Sequence, residues 1–350
     1  MTKPLQAESS LREQLVHQLL RLRYKTFAVA GLVLLLLSTT WLYVSSSADG
    51  FRIFPHRAGF TDKTHDIWFD DHIHTKWHDT GHLIPPKIWQ IMLPKDQSSH
   101  KPINPERLKE TASWLALNTD YLYTLVGGPG GREFVHRRYG NSTVTNVYNH
   151  IPNVGMQSDL LRYLILEAEG GVYTDTDTVA LRPIDNWVPD HLRDRVRLLV
   201  GIEYDRLDDG PWAEIPHWVQ FCQWTIAAAP GHPVFRKMAD RVIQSVHDLT
   251  ASYGVPLKDI NPTNFEVLNS TGPAAWTDVV FEYIQTVDPS LNTTQDLSFM
   301  MEPTLFGDVL ILPIDSFGMG QLHSHSTHDG TIPESALMRH LFGGSWRGDE

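Results

Sequence analysis

Two aspartates one residue apart, Asp175-Thr176-Asp177, follow the short apolar segment "VYT" and are the sharpest chemical signature in the chain. Just upstream stand Ser158, Asp159 and Arg162, then Gly170-Gly171 and Tyr173. Asp159 and Arg162 are three apart, so on a helix they share a face. Paired carboxylates are hard oxygen ligands for Mn2+ or Mg2+, and an ion held there can bridge diphosphate oxygens. The chemistry this permits is Lewis-acid stabilisation of a departing nucleoside diphosphate as negative charge accumulates on it. A bare D-x-D also marks ordinary acidic turns, so the specificity lies in the whole block from Ser158 to Asp177.

The elements around the block are those that would position it. Leu160, Leu161, Leu164, Ile165 and Ala168 recur at helical spacing, and Gly170-Gly171 ends that helix as a left-handed cap. The chain then turns into a strand with the aspartates at its carboxyl end, where ligands of open α/β sheets bind. In extended chain the two carboxylates share a side and Thr176 points away. "KIWQIML" after Pro85-Pro86, "YLYTLV" (121–126), "VRLLVGIE" (196–203) and "DVLILPI" (308–314) read as further strands. Helices are expected from Asn104-Pro105-Glu106 through Leu117, around Glu133 to Tyr139, over Pro233–Ser252 and over Ala274–Gln285. The glycines at 127–131 lack the ending of a phosphate loop and read as a turn into a helix. Alternating strands and helices give an α/β fold with a mostly parallel central sheet.

The 350 residues carry a formal net charge of −12, which leaves no basic field for a nucleic-acid backbone. The lone cysteine, Cys222, rules out an intramolecular disulfide and reads as a small buried residue. Residues 27–44 are free of charge and reach membrane-spanning length, with Arg21, Arg23 and Lys25 before them. This flank predicts a cytoplasmic tail (1–26), a signal anchor (27–44), a lumenal stem (45–83) and a lumenal domain (84–350). Cleavage near Ser46-x-Ala48 is the competing reading. The stem's His65, His72, His74, His78 and His82 are irregularly spaced, unlike a metal site. Sequons at Asn141, Asn269 and Asn292 agree with lumenal placement.

The block from Ser158 to Asp177 resembles the sugar-binding, D-x-D-containing region of glycosyltransferase family 32 and, more distantly, that of the large clostridial glucosylating toxins. "IPPKIWQ" (84–90), "QWTIAAAPGHPVF" (223–235), "TGPAAWT" (271–277) and "HLFGGSW" (340–346) resemble, in order, segments of that family's fungal initiation-specific α-1,6-mannosyltransferase group. The resemblance implies a single nucleotide-sugar-binding domain of glycosyltransferase A type. It implies a retaining hexosyltransferase of the Golgi membrane that takes mannose from GDP-mannose to an N-glycan or mannan acceptor. It further implies that Asp175 contacts the donor's sugar or ribose, that Asp177 binds the metal, and that Asp159 and Arg162 grip the donor hexose. Tyr173 would lie beside the site, Trp89 near the base, Ser345 and Trp346 near the diphosphate, and His340 on metal or phosphate. "GGSW" replaces the group's usual alanine-glycine pair before Ser-Trp. Other transferases of a Golgi complex are expected partners.

Glu203 and Asp205, after a strand end, are carboxylates available to catalysis or acceptor binding, whereas His323, His325 and His328 read as a surface loop. Two rival readings stand beside the transferase. Asp175-Thr-Asp177-Thr-Val fits a phosphohydrolase in which Asp175 attacks phosphorus, although that chemistry calls for a long apolar strand before it. A non-catalytic, membrane-anchored sugar- or metal-binding protein is the other.

Overall fold

The computed structural model describes residues 81–95, 105–212 and 214–343, all within one compact unit, Asp66–Glu350. The apolar run 27–44 and residues Ser345 and Trp346 lie outside the described residues. Among those described, no helix is long and apolar enough to cross a membrane.

In chain order the elements are β1 (Lys87–Ile91), α1 (Thr111–Leu117), β2 (Leu122–Val126), α2 (Gly128–Tyr139), α3 (Thr143–His150) and α4 (Val154–Glu169). Next come β3 (Gly171–Thr174), β4 (Thr178–Ala180), β5 (Leu198–Asp205), β6 (Val219–Ala228) and α5 (Pro233–Tyr253). The chain continues through α6 (Asn264–Ser270), α7 (Pro273–Val287), β7 (Thr304–Phe306), β8 (Val309–Leu312), α8 (Ile314–Gly318) and β9 (Met338–His340).

Seven strands form one sheet in the order β2-β1-β3-β6-β5-β8-β7. β2, β1, β3, β5 and β8 share one direction, while β6 and β7 run against them. The sheet is therefore mixed but mostly parallel in direction, as the alternation of elements predicts. Strand parity divides the core. Trp89, Ile91, Tyr173, Val200 and Ile226 join the apolar faces of α4, α5 and α7 on one side. Ile88, Val172, Leu199, Cys222 and Trp224 meet Trp114 of α1, Trp187, Phe317 of α8 and Met338 of β9 on the other.

Three local outcomes differ from the sequence reading. The helix expected from 104 to 117 is broken: Pro105–Leu108 makes one 3-10 turn and α1 starts at Thr111. The glycine cluster is helical, because α2 begins at Gly128. A methyl at Gly131 would lie 2.6 Å from the Tyr148 hydroxyl and 2.8 Å from Leu161 Cδ2, so this glycine lets α2 approach its neighbours. Asp175-Thr176-Asp177 is a tight turn between β3 and β4 and not extended chain, so the carboxylates converge by the turn and Thr176 also lines the cleft.

Candidate active site

Helix α4 delivers the first half of the site. Asn153 caps it by accepting a hydrogen bond from the Met156 amide at 3.1 Å, which fixes its register. Gly170 ends it at φ 61° and ψ −162°, a positive-φ conformation outside the left-handed helical region and open essentially to glycine alone. Gly171 follows at φ 97°, and a methyl there would lie 2.7 Å from the Lys87 carbonyl. The di-glycine thus reverses the chain flush against β1 and aims β3 at the cleft.

Asp159 and Arg162 are both buried on α4 and meet across one turn, with Nη2 2.9 Å from Oδ1. Arg162 also reaches Asp175, Nη1 to Oδ1 at 3.4 Å, and donates to the Gln223 carbonyl at 3.1 Å. Its guanidinium lies 4.5 Å over the Tyr173 ring. Tyr173 in turn donates to Asp175 Oδ1 at 2.5 Å, and Thr271 Oγ1 donates to Asp159 Oδ2 at 2.7 Å. One arginine therefore ties the helix to the acidic turn. Burial pushes the Asp159 carboxyl up to about 6, against the pull of Arg162. Burial likewise raises Asp175, with Arg162 opposing it.

The second half comes from the end of the chain. β9 pairs antiparallel with β4, setting His340 opposite Thr178. His340 Nε2 stands 3.3 Å from Asp177 Oδ1, while the Gly343 amide donates to Asp177 Oδ2 at 2.7 Å and the Leu341 amide to its carbonyl at 2.9 Å. Burial alone would raise Asp177, but the His340 bond and charge outweigh it and hold the carboxyl below its ordinary value. A methyl at Gly343 would lie 3.1 Å from Asp177 Oδ2, so the first glycine of "GGSW" permits that contact. His340 stacks on Trp224 at 4.6 Å, and its Nδ1 is buried with no hydrogen-bond partner.

Ligand atoms of Asp175, Asp177 and His340 all fall within 4.8 Å of one another. Two carboxylates and an imidazole whose Nε2 faces them are a donor set that fits a divalent cation. They open onto a cleft of about 310 Å³, within the range of small-ligand sites. Asp159, Arg162 and Tyr173 line it, as do the cationic Lys95 and Arg107.

Trp89 is not among the residues lining this cleft. Its indole lies in the core on the α4 side and donates to the Gly170 carbonyl at 2.8 Å, so it braces the di-glycine turn. Its neighbour Gln90, on the opposite strand face, instead donates to the Asp175 carbonyl at 3.1 Å. Glu203 lines the cleft, whereas Asp205 accepts from Ser298 Oγ, the Phe299 amide and the Leu207 amide and so anchors loops. His323 is half-buried, 5.4 Å from the Tyr204 ring and 5.5 Å from that of Trp212, and His325 is exposed. Thr271, Gln223 and Trp224 are site residues that no spacing rule singled out. Two of them lie on β6, a strand the sequence reading did not mark.

Residues 105–194 match the family described as "Glycosyltransferase sugar-binding region containing DXD motif", a span that holds Asp159, Arg162, Tyr173, Asp175 and Asp177. The chain is 36% identical over 273 residues to the initiation-specific alpha-1,6-mannosyltransferase of Schizosaccharomyces pombe, covering 76% of this chain and 64% of that one. It is 32% identical over 295 residues to the protein of the same name from Candida albicans, covering 78% and 74%. Among solved structures, the PaToxG glycosyltransferase is similar over 63% of this chain and 79% of its own, at 16% identity and a TM-score of 0.39. The chain belongs to this family of D-x-D glycosyltransferases, alongside the initiation-specific alpha-1,6-mannosyltransferases. It spans 64% of the length of the S. pombe relative.

Proposed function

We propose that the chain is a metal-dependent, retaining mannosyltransferase that moves mannose from GDP-mannose to an N-glycan or mannan acceptor through an α-1,6 linkage. The observation that carries this reading is the convergence of Asp175, Asp177 and His340 beside the Asp159–Arg162 pair in one cleft. When bound, a divalent ion supplies the positive charge that a departing diphosphate needs. Mn2+ suits the set better than Mg2+, since the imidazole adds a nitrogen to the carboxylate oxygens.

The chain's own groups do the rest. Asp177 and His340 are prearranged by the β4–β9 pairing and by the Gly343 and Leu341 amides, so little reorganisation is left for binding. Arg162 holds Asp175 and Asp159 in fixed register, which lets Asp159 accept from donor hexose hydroxyls. Lys95 and Arg107 offset part of the donor's negative charge at the cleft wall. Ser345 and Trp346, two and three residues beyond Gly343 in sequence, are the residues that the family resemblance assigns to the diphosphate. The names of the relatives support mannose and the α-1,6 linkage. The apolar run 27–44 with its basic flank supports a single-pass anchor with the domain in the Golgi lumen, where other transferases of a complex are partners.

The test is a donor screen with the full chain and Mn2+, followed by linkage analysis of the product. GDP-mannose turning over above UDP-sugars, with a new α-1,6-linked mannose, is the expected outcome. A phosphoaspartate trapped at Asp175 would point to the phosphohydrolase instead. Absence of turnover with every nucleotide sugar would leave a binding protein.

A further inference from the structure

Glu203 occupies a break in the pairing of β5 with β6. The ladder sets Ile202 against Phe221 and Tyr204 against Gln220, so three residues of β5 span two of β6 and Glu203 is the extra one. A bulge of this kind re-aims the side chain it carries. Here it directs Glu203 into the cleft that Asp175, Asp177 and His340 also line.

The carboxylate is sparsely engaged. Oε2 accepts a hydrogen bond from Gln220 Nε2 at 3.2 Å, and among the described residues Oε1 has no hydrogen-bond partner and no cation forms an ion pair with the group. Asp159 and Asp175 both face Arg162, whereas Glu203 faces no arginine or lysine among the described residues, and only the His340 imidazole acts on its charge. A carboxylate without an arginine or lysine partner is a poor host for a diphosphate, yet it hydrogen-bonds a neutral polyhydroxyl ligand well.

Position separates it from the acidic turn. The acidic turn follows β3, and the order β3-β6-β5 sets Glu203 two strands away, with Trp224 of β6 lining the cleft between them. Asp205, the other acid of this strand end, spends its oxygens on backbone amides and a serine and is excluded.

We propose that Glu203 is an acceptor-binding residue: it hydrogen-bonds a hydroxyl of the acceptor hexose and thereby fixes which hydroxyl faces the donor. This rests on the transferase reading above.

The experiment titrates a high-mannose oligosaccharide calorimetrically into the full chain loaded with GDP and Mn2+, wild type against Glu203→Gln and Glu203→Ala. GDP affinity and thermal melting are measured on the same samples, and GDP release from GDP-mannose in water serves as the donor control. Loss of a hydrogen bond to a charged group weakens binding about 10- to 100-fold. The expected result is that loss for the oligosaccharide in Glu203→Ala, a smaller one in Glu203→Gln, and GDP affinity, donor hydrolysis and melting within about twofold or a few degrees of wild type. Three results overturn the assignment: oligosaccharide affinity unchanged in both variants, no oligosaccharide binding by wild type, or a parallel loss of GDP binding. Failure of wild type to bind GDP or to release it from GDP-mannose would instead strike the transferase reading itself.

Discussion

Removing Arg162 tests whether one buried cation organises the acidic site. Arg162→Met keeps most of the side-chain volume but withdraws the charge that stands 2.9 Å from Asp159 and 3.4 Å from Asp175. Breaking a buried ion pair by deleting one partner costs roughly 3–5 kcal/mol, because the other charge stays buried and uncompensated. For a domain of this size each kcal/mol moves the melting temperature by roughly 2–4 °C, so the variant should melt about 6–20 °C lower. The deficit also has a defined pH dependence. Asp159 already sits at about 6 in the folded protein, above its ordinary 3.8, through burial opposed chiefly by Arg162. A carboxyl raised on folding binds its proton more tightly in the folded state, so stability is fullest at low pH and falls as pH rises through the folded value. In wild type that fall from Asp159 ends near pH 6; without Arg162 the carboxyl climbs further and the fall continues above it. Differential scanning calorimetry of both proteins at pH 5.5 and pH 8 is the assay. The gap should widen at pH 8, and Asp159→Asn added to Arg162→Met should close part of it. A shift below about 2 °C, or a gap that is the same at both pH values, would refute the claim that Arg162 neutralises buried carboxylates here.

Two further variants probe the supports of the site. Gly131→Ala places a methyl 2.6 Å from the Tyr148 hydroxyl and 2.8 Å from Leu161, and should cost about 1–3 kcal/mol in urea denaturation, in the range of overpacked cores. Thr271→Val removes the 2.7 Å hydrogen bond to Asp159 Oδ2 in a fully buried place, and should cost about 1–3 kcal/mol in the same assay.

The block that holds the chemistry was also the stretch of fold most readable in the sequence. Asn153 caps α4, leucines mark its buried stripe and Gly170-Gly171 closes it, all within twenty residues, so local rules suffice. β6 escaped notice because Gln220, Gln223 and Thr225 are buried in it and interrupt any apolar alternation. Its irregular pairing with β5, which projects Glu203, depends on partners far apart in sequence. The docking of His340 on Asp177 rests on two three-residue strands, β4 and β9, too short to leave a pattern. Family resemblance, not spacing, pointed to His340. At β1 the resemblance singled out Trp89, and strand parity alone decides nothing. A sequence shows that Trp89 and Gln90 face opposite ways, but not which way the site lies, and the residue that touches Asp175 is Gln90.

In the proposed function, donor cleavage depends on a divalent ion held by Asp175, Asp177 and His340. The direct measurement is GDP release from GDP-mannose by wild type and Asp177→Asn across a Mn2+ titration, with a chelated sample of each. Chelation should abolish release by wild type and added Mn2+ should restore it, while Asp177→Asn should stay at least about 100-fold slower, on the scale of losing a transition-state charge contact. Full-speed release by chelated wild type, or by Asp177→Asn at the same Mn2+ concentration, would contradict that dependence.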